Sequence, residues 1–220
     1  MKKLAMMAAV AVLAASCNME KAEEATTGEA QEVEAVVEAT NVALDSGSVV
    51  AWRGFKSYVA SEHVGTIGVQ EGTFAVLDGK VVGGSITIDM NAIVNTDIED
   101  EGKNAYLVGH LKSQDFFFVD SFATGVFEIV EVKEVAAEGT NSVVVGNLTL
   151  RGVTNSIEFP ANIAVNEGSV SFDAPTFSID RTKWGVKFHD SEDASIAETL
   201  KEDLIDHSIE LTISVTATNS

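Results

Sequence analysis

Cysteine is almost missing: one residue in 220, at position 17. A lone thiol excludes an internal disulfide framework and any multi-cysteine zinc or iron–sulfur site. Proline is scarce as well, with two residues against 17 glycines. Together with many Val, Ile, Thr and Phe, that balance leans toward strands. Positive charge is short: 14 Lys and Arg face 34 Asp and Glu, for a formal net charge of −20. Such a surface has too few cations to neutralise nucleic-acid phosphates, and anionic lipid headgroups repel it. What remains is a chain 45% hydrophobic and 22% charged, which buries a core rather than staying disordered. Its length allows one ordinary domain, or a barrel or sandwich with extras.

The N-terminus reads as an address. Lys2 and Lys3 precede an apolar stretch, residues 4–15, too short to span a bilayer as a helix of ~20 residues. It ends in Ala14-Ala15-Ser16-Cys17, which resembles a bacterial lipobox. That resemblance implies a signal peptide over residues 1–16, acylation of Cys17 with palmitate-type chains, and a membrane-anchored, extracytoplasmic protein. It would be an outer-membrane lipoprotein facing the periplasm or the cell surface. Losing residues 1–16 removes two Lys and no acid, which takes the formal charge from −20 to −22. Residues 17–40 hold seven Glu against one Lys and no aromatic, so they read as an acidic flexible tether. Glu20-Lys21 with Glu23-Glu24 is similar to the surface-export signal of Bacteroidota lipoproteins.

From residue 41 to 220 the pattern turns to period two. Ile157, Phe159, Ala161, Ile163 and Val165 alternate with polar neighbours, as do Ile209, Leu211, Ile213, Val215 and Ala217. Half-buried antiparallel strands read this way. Further strands are expected at 49–56, 65–77, 82–90, 125–135, 142–150, 169–179 and 186–190. Leu77-Asp78-Gly79-Lys80, Glu138-Gly139-Thr140-Asn141 and Asn166-Glu167-Gly168 supply turns between them. Eight or nine strands with short loops suggest an all-β closed antiparallel barrel or a sandwich. Two stretches depart from this. Residues 103–111 predict a helix with Leu107, Val108 and Leu111 on one face. Residues 190–206 are acidic, and Ile196, Leu200 and Leu204 at i, i+4, i+8 predict a second, short amphipathic helix.

Several segments together resemble the YceI-like family of lipid-binding proteins. They are Trp52-Arg53-Gly54-Phe55, His63-Val64-Gly65, Glu71-Gly72-Thr73-Phe74, the run 83–90, Leu107-Val108-Gly109-His110-Leu111 with its exit through Phe116-Phe117, the run 146–154, and Phe177 through Gly185. The resemblance implies a lipocalin-like barrel of about eight strands with a short helix inserted near one mouth. It also implies an isoprenoid or acyl lipid inside: a polyisoprenoid, an isoprenoid quinone or a fatty-acid derivative. No catalytic apparatus and no cofactor other than that lipid are implied. The family often shows an aspartate where Phe118 stands and a proline where Ala123 stands, so the loop after the helix is expected to differ in shape.

On this reading the ligand-binding face is Phe55, Phe74, Ile88, Phe117, Phe127, Phe159, Ile163, Phe177 and Trp184. His63, His110 and Arg181 are polar groups at the mouth. Asp180-Arg181 with Trp184 reads equally as an ion pair and a structural plug. The four histidines show no i, i+4 pair, so they point to no metal site. A packed-barrel interaction or stress lipoprotein without ligand is the alternative. A hydrolase or isomerase using His63 or His110 is a further one, lacking any paired nucleophile and base in these segments. The residues leave the oligomeric state open, a dimer included.

Overall fold

The computed structural model describes residues 22–219 apart from 35, 138, 194 and 197. The signal stretch and Cys17 therefore lie outside the described residues. Among the described residues there are ten strands: β1 (Thr26–Glu29), β2 (Thr40–Ala43), β3 (Val49–Lys56), β4 (Glu62–Leu77), β5 (Lys80–Asn95), β6 (Thr124–Ala137), β7 (Thr140–Leu150), β8 (Val153–Asn166), β9 (Ser169–Asp180) and β10 (Ile205–Thr218). One helix, α1 (Glu101–Lys112), stands between β5 and β6, and a 3-10 turn (Arg181–Trp184) follows β9. Strands β3 to β10 pair antiparallel, each with the next, and β10 returns to β3. The result is the expected closed eight-stranded barrel, with no edge left along the wall.

Local chemistry sets the hairpins. Asp78 and Gly79 have φ of 50° and 75°, and Arg151 and Gly152 have 51° and 74°. Both central residues in the left-handed region make the turn whose twist matches that of its strands. The two ends of the barrel differ. One end carries short turns at 78–79 and 167–168. The other carries α1, the turn at 57–61 and the long passage from Arg181 to Leu204. That passage runs as a chain of tight turns, with Ile196 N–H donating to the Asp193 carbonyl and Leu204 N–H to the Leu200 carbonyl. No helix forms there among the described residues, contrary to the periodicity. The bonds go mostly to the third residue back, and Asp193 caps a local turn through Ser195, which competes with helix propagation.

The acidic N-terminal stretch is the second departure from expectation. Strands β8 and β9 pair only from Asn162↔Asp173 to Asn166↔Ser169. Toward the α1 end they part, and the segment after residue 22 fills the gap. β1 pairs antiparallel with β8, Thr26 opposite Glu158. On its other side Ala25 N–H donates to the Ser178 carbonyl at 2.8 Å, and Ser178 N–H to the Glu23 carbonyl at 2.9 Å. Further on, Gln31 and Asn147 exchange hydrogen bonds at 2.7 and 2.9 Å. β2 likewise lies on β4. A stretch this poor in apolar residues cannot fold alone. It needs no core of its own, however, when it satisfies two strand edges that would otherwise hold unpaired N–H and C=O groups.

Ala25 is 5% exposed within this seam. Ala25→Asp should therefore place an unpaired charge there and lower stability by about 2–4 kcal/mol. Chemical denaturation reads the difference. An unchanged midpoint would mean that the segment is a free tether.

Candidate functional site

The barrel interior is filled unevenly. Phe159 stacks on Phe177 with ring centroids 4.4 Å apart, Phe127 meets Phe159 at 5.7 Å, and Phe74 stacks on Phe172 at 5.4 Å. Trp184, fully buried, donates its indole N–H to the Leu148 carbonyl at 2.8 Å. These rings, from β4, β6, β8 and β9 and the turn after β9, pack much of the interior. Against β3, β4, β5 and β10, at the α1 end, a cavity of about 290 Å³ remains. β6 and β8 contribute nothing to its lining. Its walls are apolar, with Trp52, Ile67, Ile88 and Leu211 from the strands and Leu107 and Leu111 from the helix.

Glycine makes room for one wall residue. At Gly65 a β-carbon would lie 2.6 Å from the Trp52 ring and 1.9 Å from the Val94 carbonyl. Only a residue without one lets the indole lie flat across β4.

Helix α1 roofs this cavity. Asp100 caps its start, accepting from Lys103 N–H at 2.9 Å, and Ser113 Oγ donates to the His110 carbonyl at its end. Asn104 ties the helix to the end of β5 through the Asn95 and Ile98 carbonyls, and Lys112 Nζ donates to the Asn91 carbonyl at 2.7 Å. No helix residue is fully buried: Leu107 and Leu111 border the cavity, and Leu111 also packs on the Met90, Ile93 and Val119 cluster. After the helix, Phe116 is buried and Phe117 faces the cavity. Phe118 takes φ of 48°, a left-handed conformation that short polar residues accept more readily. Its ring meets Phe122 edge-on at 6.0 Å. Phe188, from the passage after β9, closes the other side of His110 at 4.7 Å.

Of the expected site residues, Phe55, Ile88, Phe117, His63, His110 and Arg181 line the cavity. Phe74, Phe127, Phe159, Phe177 and Trp184 stand apart from it, in the packed interior. Ile163 packs against the core and lines a second, more polar pocket of about 550 Å³ at the turn end, with Val165 and Lys80. Alternation identifies the inward face of a strand. It does not tell how far along the barrel axis the packing gives way to space. Ile209 and Leu211 share the parity of Ile213 on β10, yet only the first two reach the cavity.

Polar groups gather at the mouth, and His63, His110 and Arg181 each have a partner. His63 Nδ1 lies 2.9 Å from Asp97 Oδ2, and His110 Nε2 lies 3.2 Å from Asp115 Oδ2. Asp97 also accepts from Val64 N–H at 2.9 Å and from Asn95. Burial works against its charge, but the bonds from His63, Val64 and Asn95 outweigh burial and hold its pKa below the ordinary value. Arg181 is 2% exposed. Its guanidinium donates to three backbone carbonyls: Val186 at 2.7 Å, Asp206 at 2.8 Å and Ile205 at 3.0 Å. The ion pair expected with Asp180 gives way to this arrangement. Asp180 instead caps the 3-10 turn, accepting from Thr182 N–H and Oγ1. Arg181 thus joins both ends of the 186–205 passage to the barrel. Burial lowers its pKa, countered by Asp190, Asp180 and Asp206.

Asp190, Ser191 and His207 also meet near the mouth. Asp190 Oδ1 at 2.5 Å and Ser191 Oγ at 3.2 Å both contact the same nitrogen of His207. A nucleophile relay needs the acid and the hydroxyl on opposite ring nitrogens, so this cluster has the wrong geometry for one. Burial opposes the Asp190 charge as well, and bonds from Glu192 N–H and His207 outweigh it, so its pKa is also lowered.

Two expectations follow. Arg181→Lys cannot fork to three carbonyls. It should cost about 3 kcal/mol of stability through the acceptors left unpaired, and a loss below about 1 kcal/mol by denaturation would contradict the hub role. The second concerns acid. Asp97 and Asp190 have lowered folded pKa values, so their stabilisation is complete above the unfolded carboxylate value of about 3.9. It is lost as pH falls through the folded values. Hydrogen exchange, corrected for intrinsic rate, should show constant protection at 95–104 and 186–207 above about pH 5 and a loss below about pH 4. Protection unchanged at pH 3 would rule these carboxylates out as pins of the mouth.

Comparison with known proteins agrees with this architecture. A family model described as the YceI-like domain matches residues 42–217. Among solved structures, a polyisoprenoid binding domain from Saccharophagus degradans, implicated in plant cell wall breakdown, superposes with a TM-score of 0.58 at 13% identity. The match covers 83% of this chain and 100% of that one. BcnA of Burkholderia cenocepacia gives 0.54 at 18% identity over 78% and 96% of the two chains. No curated protein matches the sequence.

Proposed function

The chain belongs to the YceI-like family, and from that premise we propose that it holds a slim apolar chain in the cavity under α1. The ligand class is a polyisoprenoid, an isoprenoid quinone or a fatty-acid derivative, carried for storage or transport. One observation carries the reading: an apolar cavity, roofed by a helix with no buried side chain, beside an interior that is otherwise packed. Each methylene moved from water into such a space contributes ~0.8 kcal/mol before ordering costs. About ten would supply ~8 kcal/mol without a hydrogen bond. At about 290 Å³, the space is at the small end of ligand cavities, which run ~300–1,000 Å³. It suits a short acyl chain or the end of a longer isoprenoid whose remainder leaves through the mouth. His63, His110 and Arg181 then face the polar end of the ligand.

The histidines already meet carboxylates, and Arg181 meets backbone carbonyls. That supports binding rather than catalysis. Acylation at Cys17 would make the protein an extracytoplasmic, membrane-anchored carrier, with the membrane as the source of its ligand.

Ligand per protein by mass spectrometry of organic extracts tests the reading. Leu211→Trp should fill the cavity and cut loading severalfold while the fold survives. Phe159→Ala, away from the cavity, should leave loading nearly intact while costing about 3–5 kcal/mol of stability. Delipidation should lower the melting temperature, because ligand bound to the folded state adds RT ln(1 + [L]/Kd). Equal loading in folded Leu211→Trp, or no melting shift, would defeat the proposal. Cys17→Ser should move the protein from the membrane fraction to the soluble one.

A further inference from the structure

The N-terminal segment is seated on the barrel wall at a defined height. Ala22 N–H donates to Glu210 Oε1 at 3.0 Å, and its carbonyl accepts from Ser178 Oγ at 3.4 Å. Glu210 is 4% exposed, and its other oxygen lies 3.0 Å from Arg53 Nε. A buried, paired carboxylate thus marks where the segment joins the outer wall of β9 and β10. From Ser178 the α1 end of β9 is two residues away, about 7 Å, and from Glu210 the start of β10 is five residues away, about 17 Å. The opposite ends are far more distant. Thr218 is eight residues from Glu210, about 27 Å, and Ser169 is nine from Ser178, about 30 Å. Cys17 precedes Ala22 by five residues, and five residues reach at most about 18 Å. A leash from Cys17 therefore reaches the rim of the mouth and falls short of the turn end.

The two ends also differ in what they present. Beside the mouth, Tyr58 is 60% exposed in the turn after β3, with Val59 next to it, and Tyr106 is 76% exposed on α1. Tyrosine settles at membrane–water interfaces, ring in the apolar layer and hydroxyl in the wet one. The turn end presents Asp78, Lys80 and Glu167 and no exposed tyrosine; exposed acids stand at both ends, Glu99, Asp100, Glu101 and Asp115 among them at the mouth, so it is the two tyrosines that distinguish the mouth. With a formal charge of −22 once residues 1–16 are lost, the protein is repelled by anionic headgroups but not by neutral ones.

Resting on acylation at Cys17, we infer that the mouth of the barrel is held against a zwitterionic bilayer surface. The strand-bound N-terminal segment is the leash that sets this orientation, with Tyr58, Val59 and Tyr106 as the contact. An apolar ligand then passes between bilayer and cavity without crossing open water.

The full acylated chain tests this on phosphatidylcholine vesicles whose headgroups carry an energy-transfer acceptor. Acylation occupies the only native thiol, so Tyr58→Cys and Glu167→Cys each take a single donor dye, one at each end. Transfer from position 58 should exceed that from 167 at least about twofold, given a barrel about 30 Å long. Inserting a Gly/Ser linker of about 20 residues before Ala22, about 25 Å in mean span, should keep the protein on the vesicles and narrow the difference. If the chain carries no acyl group by mass spectrometry, the anchor fails and the orientation with it. If it is acylated and vesicle-bound but position 167 transfers as well as 58, the orientation alone is overturned, and the anchor and the ligand stand.

Discussion

Closure of the backbone ladder is the constraint on which this molecule rests. A sheet curled into eight strands must leave no strand edge unpaired, since each N–H and C=O withdrawn from water needs a partner. Here the closing pair, β8 with β9, holds over only part of its length. The wall is completed because residues 23–29 enter the gap and serve both strands, β1 antiparallel to β8 and Glu24 bridged in parallel to Ser178 of β9. The strands part toward the α1 end, the end that also holds the cavity. The gap fixes the path of the N-terminal segment, so the position of any anchor follows from this feature of the sheet.

Within that wall, the aromatic residues decide what is solid and what is hollow. Five phenyl rings, from β4, β6, β8 and β9, and the Trp184 indole fill the interior away from the cavity. Their stacked and tilted contacts leave no space for a chain. The cavity side relies on Val50, Ile67, Ile88 and Leu211, which are too small to reach across to one another. The void there is roofed by α1, held through its caps, through Asn104 and Lys112, and by Leu111 on the Met90, Ile93 and Val119 cluster. A helix attached by polar bonds at its margins can move at lower cost than one buried by a full apolar face, which suits a roof that admits and releases a ligand.

The mouth combines this roof with the long passage after β9. Arg181 holds the passage by both of its ends, at Val186 and at Ile205 and Asp206. Within it, Phe188 packs against His110 of α1. Roof and passage therefore share contacts, and a displacement of one is felt by the other through the His110, Phe116 and Phe188 rings.

Much of this was written in the order of residues. Period-two alternation marked β8 and β10, the Asp78-Gly79 pair marked a hairpin, and Leu107 to Leu111 marked the helix, because each depends on neighbours within a few positions. The motifs around Trp52, His110 and Trp184 carried the family and, with it, the closed barrel. Where the chain diverged from its sequence pattern, distant partners were responsible. The acidic segment near Ala25 became a strand because β8 and β9 offered it two edges. The described residues between 190 and 204 stayed in turns, with Asp193 bonding Ser195 locally and Leu204, fully buried, drawn into the fold. Phe159 and Leu211 look alike in sequence, both inward and apolar. Only the tertiary structure separates the one that fills the core from the one that faces the cavity, because a side chain's depth depends on the width of the barrel where it points.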